Sequence, residues 1–243
     1  MEIVKITDLK DMLKKTEKIY GDRPAYKIKE DSEKYKIITH KELREMVNAL
    51  GTELIQLGLK GKRIAIIGEN RYEWGIAYLS IVCGTGIVVP LDKSLPENEI
   101  KRLMQRAEIE AIFYSEKYED QLKRIFKSNE TKLKYLFSMT KINELIEKGR
   151  KLIKEGNAEF IDAKINPEEM NIMLFTSGTT SESKAVALSH KNICTNLMDL
   201  AEALGIDEND RTLSFLCSSI NFWISSILPC FSNFLNMFLY IFS

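Results

Sequence analysis

The spacing of apolar and polar positions changes period repeatedly along the chain. Residues 7–20 carry Leu9, Leu13 and Ile19 at helical spacing among charged neighbours, and Gly21-Asp22-Arg23-Pro24 ends that helix by turn chemistry. Segments 25–29 and 35–38 read as a hairpin around 30–34. Thr39 and Glu42 form a capping-box pattern, a hydroxyl followed three residues later by a carboxylate. The helix they open places Leu43, Met46, Val47, Leu50, Leu54 and Leu57 on one face, and Gly58 stops it. His40, in the first turn, is expected as a solvated surface side chain.

Segment 63–68 is a continuous apolar run, as expected of a parallel strand covered on both faces. A helix over 71–83 follows, with Asn70 and Glu73 as its expected caps. Gly84 and Gly86 read as a turn before a strand over 86–90. The alternation then continues: helix 97–106, strand 111–114, helix 116–127, strand 135–137 and a charged amphipathic helix 141–155. Strand and helix taking turns in this way predict an α/β layer fold with a mainly parallel sheet and flanking helices.

The next apolar run, 172–175, leads into residues dominated by hydroxyls. A second run, 185–188, leads out, and Ser189 is placed to cap a helix. In between, Gly178 lets the backbone turn tightly and approach a ligand. Ser177, Thr179, Thr180, Ser181 and Ser183 supply hydroxyl donors, and Lys184 adds a cation suited to a phosphate oxygen. On composition alone a plain polar hairpin loop is the better reading. Two known motifs fail here. Lys184 follows Ser183 rather than Gly, so the stretch is not a Walker A loop. Ser181 and Lys184 spell S-x-x-K, but its companion S-D-N and K-T-G sequences are absent.

Residue order is more specific than composition. Thr176-Ser177-Gly178-Thr179-Thr180, then Lys184, Val186 and Leu188-Ser189-His190-x-Asn192-Ile193, resembles the phosphate-loop signature of the AMP-forming adenylate-forming enzymes. These are the acyl-CoA synthetases, luciferases and nonribosomal-peptide adenylation domains. Ser181 and Ala185 depart from it, because the family usually has glycine at both positions. Tyr20-Gly21-Asp22-Arg23-Pro24-Ala25 resembles the family's opening, and residues 63–90 resemble its first nucleotide-fold half. Glu69-Asn70-Arg71-x-Glu73-Trp74 is most similar to the long-chain fatty-acid branch.

The resemblance implies the N-terminal part of a large adenylate-forming domain. It implies ATP-dependent activation of a fatty carboxylate to an acyl-adenylate, then transfer to coenzyme A, with Mg²⁺ travelling with the ATP. Thr176, Ser177, Gly178, Thr179, Thr180, Ser181 and Lys184 would hold the ATP phosphates, Lys184 placing charge on the departing pyrophosphate. In the family, the adenine pocket, the Mg²⁺-binding glutamate, the hinge and the C-terminal domain's lysine lie further on. The expectation is therefore an incomplete, inactive synthetase chain.

Composition narrows the partners. Lys plus Arg and Asp plus Glu each number 35 in 243 residues, which gives no footprint for nucleic acid. Cys83, Cys194, Cys217 and Cys230 are widely spaced, make no metal-ligand pattern, and read as reduced thiols of a cytoplasmic protein. The N-terminus interleaves charge with apolar residues and has no signal-peptide core.

From Leu213 to Ser243 the chain holds no Asp, Glu, Lys or Arg. The resemblance runs through Thr212-Leu213-Ser214-Phe215-Leu216 and stops at Cys217-Ser218-Ser219, where the family continues with a Pro-Leu-His-His-like motif. We divide the sequence after Leu216, into a family-like part over 1–216 and an uncharged tail over 217–243, which reads as out-of-frame text from an A/T-rich gene. A membrane segment is the competing reading, since an uncharged stretch longer than ~18 residues suffices by length. Two other functional classes stay open: a membrane-tethered non-catalytic binding protein, and half of a synthetase whose C-terminal half is separately encoded.

Overall fold

The computed structural model describes residues 4–29, 34–176, 183–205 and the backbone of 239–241. Helix α1 (Leu9–Tyr20) is capped by Asp8, whose carboxylate accepts from Asp11 N at 2.8 Å. Strands β1 (Pro24–Lys29) and β2 (Tyr35–Thr39) pair antiparallel, and β9 (Leu239–Ile241) joins β1 in parallel.

Thr39 then opens α2 (His40–Gln56) with the expected reciprocal cap to Glu42. Helix α2 is the hub of one layer. Leu43, Leu50 and Leu54 are fully buried, and α1, α3 (Tyr72–Ser80) and α6 (Ile142–Lys154) pack around it.

The main sheet has six strands in the order β6-β5-β3-β4-β7-β8. They are β3 (Arg63–Ile67), β4 (Ile87–Pro90), β5 (Ala111–Tyr114), β6 (Tyr135–Ser138), β7 (Met170–Thr176) and β8 (Lys184–Ser189). All neighbours are parallel except β7 and β8. Side chains alternate across the sheet, which explains why β3 is apolar from Ile64 to Ile67. Ile64 and Ile66 enter the core beneath α2 and α3, while Ala65 and Ile67 enter a second core beneath α4 (Glu97–Arg106) and α5 (Glu119–Lys127). The result is a three-layer α/β/α sandwich, as the alternation predicts.

Three expectations are corrected. His40 is buried, 2% exposed, with its ring centroid 6.0 Å from that of Tyr20. The chain leaving α1 folds back over the start of α2, where His40 N donates to Arg23 O and Lys41 N to Gly21 O. This return strand covers a position that local pattern places at the surface. Second, α3 starts after Arg71 with no side-chain cap. Glu73 instead accepts two hydrogen bonds from the Arg71 guanidinium, each 2.9 Å, in bidentate geometry. That pair raises the Arg71 pKa further above its ordinary value. Third, α3 ends at Ser80 and passes into a wide turn, Ile81–Thr85.

The short helix α7 (Glu159–Asp162) has no counterpart in the sequence reading. It delivers the fully buried Phe160 against α2. Lys10 ties it down, donating to Phe160 O at 2.6 Å and Ala163 O at 2.8 Å. Burial lowers the Lys10 pKa.

Candidate functional site

The hydroxyl-rich loop joins β7 to β8 at the end of the main sheet. Ile172 and Leu174 point into the α2–α3 core, and Met173 and Phe175 pack against the α4–α5 core. Strand β7 is thus clamped from both faces, which fixes where the loop begins. Its parallel bond to β4 (Val88 opposite Ile172) ties it to the sheet interior. Strand β8 runs back antiparallel, with Thr176 opposite Lys184 and Phe175 opposite Ala185. Thr176 and Lys184 are therefore cross-strand neighbours closing the loop neck, close enough for a threonine hydroxyl and a lysine ammonium to address one ligand.

Lys184 is exposed and forms no ion pair among the described residues. Ser177, Gly178, Thr179, Thr180 and Ser181 lie outside the described residues. Of the candidate set, the structure brings together Thr176 and Lys184.

Arg106 at the end of α4 is a residue that sequence reasoning missed. Its Nη1 donates to Ser183 O at 2.8 Å, and its guanidinium lies 5.7 Å from the Phe175 ring centroid. A helix-terminal arginine near a loop some seventy residues onward carries no local sequence signal.

Beyond β8, Ser189 caps α8 (His190–Leu204). Ser189 Oγ accepts from Asn192 N, and Asn192 Oδ1 accepts from Ser189 N at 2.9 Å. The Ser-His-x-Asn part of the motif is thus a capping box with a structural histidine inside it. His190 is fully buried. Its Nδ1 accepts from Leu9 N at 3.1 Å, and Nε2 lies 3.0 Å from Val82 O. The tautomer that satisfies both carries the proton on Nε2. Burial lowers the His190 pKa below the ordinary imidazole value. The Cys194 thiol, one turn on, is pushed up to about 12 by burial, and Cys83 is also raised, so both are inert in place. Cys217 and Cys230 lie outside the described residues.

No group of three or more His, Cys, Asp or Glu that could hold a metal ion occurs among the described residues. The donors at the loop neck, a hydroxyl and a cation, fit a phosphate group. A cavity of about 440 Å³ lies elsewhere, between α1, α2 and the segment after α7, and is lined by Asp8, Lys10, Lys14, Arg44 and Asp162 among others. None of its lining residues belongs to β7, β8 or α4.

The N-terminal domain of FACL13 from Mycobacterium tuberculosis superposes with a TM-score of 0.84 at 15% identity, covering 97% of this chain and 57% of that one. VinN in complex with 3-methylaspartate gives 0.81 at 19%, covering 98% and 62%. In sequence, long-chain-fatty-acid–CoA ligase 1 of Cavia porcellus is 26% identical over 234 residues, covering 87% of this chain and 33% of that protein. The family model for AMP-binding enzymes matches residues 13–236. The chain belongs to the AMP-binding enzyme family. It spans about a third of the length of the curated ligases it matches.

Proposed function

We propose that this chain carries the phosphate-binding part of an ATP-dependent, carboxylate-activating ligase. The observation that supports it is the register Thr176–Lys184, which gathers a hydroxyl and a cation, without an ion pair among the described residues, at the neck of a hydroxyl-rich segment. The reaction such an enzyme performs is attack of a carboxylate on the ATP α-phosphate with loss of pyrophosphate, for which the leaving group's charge must be held and neutralised. In this reading Thr176, Ser177, Thr179, Thr180 and Ser181 donate to the β- and γ-phosphates. Gly178 lets the backbone close on them, and Lys184 supplies charge. Mg²⁺ enters with the nucleotide.

We infer a long-chain fatty acid as the substrate and coenzyme A as acceptor, on the strength of the ligase relatives. The run Glu69–Trp74, which resembles the fatty-acid branch, bears on fold rather than on the acid. Glu73 holds Arg71, and Trp74 stacks on Tyr78 at 5.4 Å between centroids. VinN, bound to an amino acid, marks the competing substrate class.

The division at residue 216 is proposed on the end of the motif resemblance at Leu216, within an uncharged stretch that begins at Leu213; the family match itself continues to residue 236. Coding DNA across codon 216 tests it: a second frame resuming the family sequence supports out-of-frame text, and its absence removes that reading. A membrane anchor would have to lie in the uncharged tail. Among the described residues no helix is long and apolar enough to cross a membrane. Carbonate-resistant membrane fractionation tests the tail itself.

Nucleotide binding is the direct test. Calorimetry should detect MgATP binding to the chain, and Lys184→Ala should weaken it about tenfold or more, the scale of one lost charge-assisted hydrogen bond. Equal affinity in the two proteins would end the role given to Lys184.

A further inference from the structure

We propose that Arg106 is a positioning residue for the phosphate loop, holding its neck from outside the hairpin; this rests on the nucleotide reading above. Arg106 terminates α4, whose Ile100, Leu103 and Met104 are buried in the core beneath the sheet. The backbone that presents it is therefore rigid relative to β7. From there one guanidinium engages both sides of the neck. Nη1 donates to Ser183 O, the residue before Lys184, at 2.8 Å. The guanidinium carbon lies 5.7 Å from the ring centroid of Phe175, the residue before Thr176.

A basic residue at a helix C-terminus has an ordinary role in facing the helix dipole. That role requires no partner on another element, and here the side chain has two. The pairs Phe175–Ala185 and Thr176–Lys184 are the last rungs of the ladder before the loop. Hairpin ends fray when nothing beyond their own ladder restrains them. Arg106 adds a restraint at this last rung. Among the described residues its five donors meet one acceptor, Ser183 O, and it forms no ion pair. Two cations that form no ion pair among the described residues, Arg106 and Lys184, flank the outgoing strand. The fixed neck then presents Lys184 and Thr176 in one arrangement, so that a phosphate ligand need not order them on binding.

The test compares the unaltered chain with Arg106→Ala and Arg106→Lys. Amide hydrogen exchange without ligand is expected to accelerate about fivefold at residues 183–186 in Arg106→Ala, with amides around Phe113 unchanged as a folding control. MgATP affinity is expected to fall about three- to tenfold in Arg106→Ala, with partial recovery in Arg106→Lys, which keeps a cation and a donor. Unchanged exchange at 183–186 overturns the restraint. Faster exchange with MgATP affinity equal to that of the unaltered chain overturns the positioning role. Absence of MgATP binding by the unaltered chain overturns the nucleotide reading itself, an outcome separate from either of the others.

Discussion

Gly149→Ala is expected to destabilise the protein by more than ~3 kcal/mol, at or above the upper end of ordinary overpacking costs. Gly149 lies in α6 where that helix crosses α2. A Cβ built there would lie 1.8 Å from Ala49 O and 2.5 Å from Ala49 C. Both are backbone atoms of a helix buried on several sides, so neither can swing away. The helices must separate, and Leu50, Ile146 and their neighbours lose contact with them. Gly58→Ala is the informative comparison. Gly58 has φ +79° but no atom within 4 Å of a built Cβ, so its cost is left-handed backbone strain alone, about 1–2 kcal/mol. Urea denaturation of the three proteins gives the ranking. If Gly149→Ala unfolds at the same urea concentration as Gly58→Ala, the helix contact is looser than described.

His190→Ala is expected to cost about 3–4 kcal/mol, because it leaves two buried backbone groups, Leu9 N and Val82 O, without their partner and opens a hole between α1, α8 and the turn after α3. Gln at the same position retains one acceptor and one donor and should recover part of the loss.

The same residue gives a pH dependence with a defined sign. Burial is the main cause that depresses the His190 pKa, partly offset by its bond to Val82 O and by the Asp8 charge. Between that depressed value and the unfolded value of about 6.5, the unfolded chain binds more protons than the folded one. Stability from neutral His190 is thus fully present above about pH 6.5 and is lost as pH falls below it. His190→Gln should flatten the curve in that window, whereas carboxylate titration further down remains in both proteins. Parallel curves for the two proteins between pH 7 and pH 5 would rule out His190 as the source.

The loop shows how site and scaffold are coded differently. Its hydroxyls, Gly178 and Lys184 are contiguous, so their chemistry is visible in one window of sequence. Arg106 is distant in sequence and reaches Ser183 because α4 packs on the same core cluster as Phe175. The Ser189-His190-x-Asn192 run was legible as part of a motif, but its local work is different: Ser189 and Asn192 close a cap, and His190 joins three elements.

The sequence by itself determined the elements and their order. Periodicity, caps and turns act within a few residues, and nearly every strand and helix appears where its pattern places it. It also determined the fold class, because continuous apolar strands alternating with amphipathic helices can bury their surfaces only as a sheet between helical layers. Tertiary structure alone decided the burial of several side chains that local pattern does not mark as core. His40 is covered by the return of the chain from α1, Glu73 is turned from a cap to an ion pair by Arg71, and Phe160 is inserted from a helix too short to have a period. Burial of these side chains depends on what arrives from elsewhere in the chain, and no local pattern records that arrival.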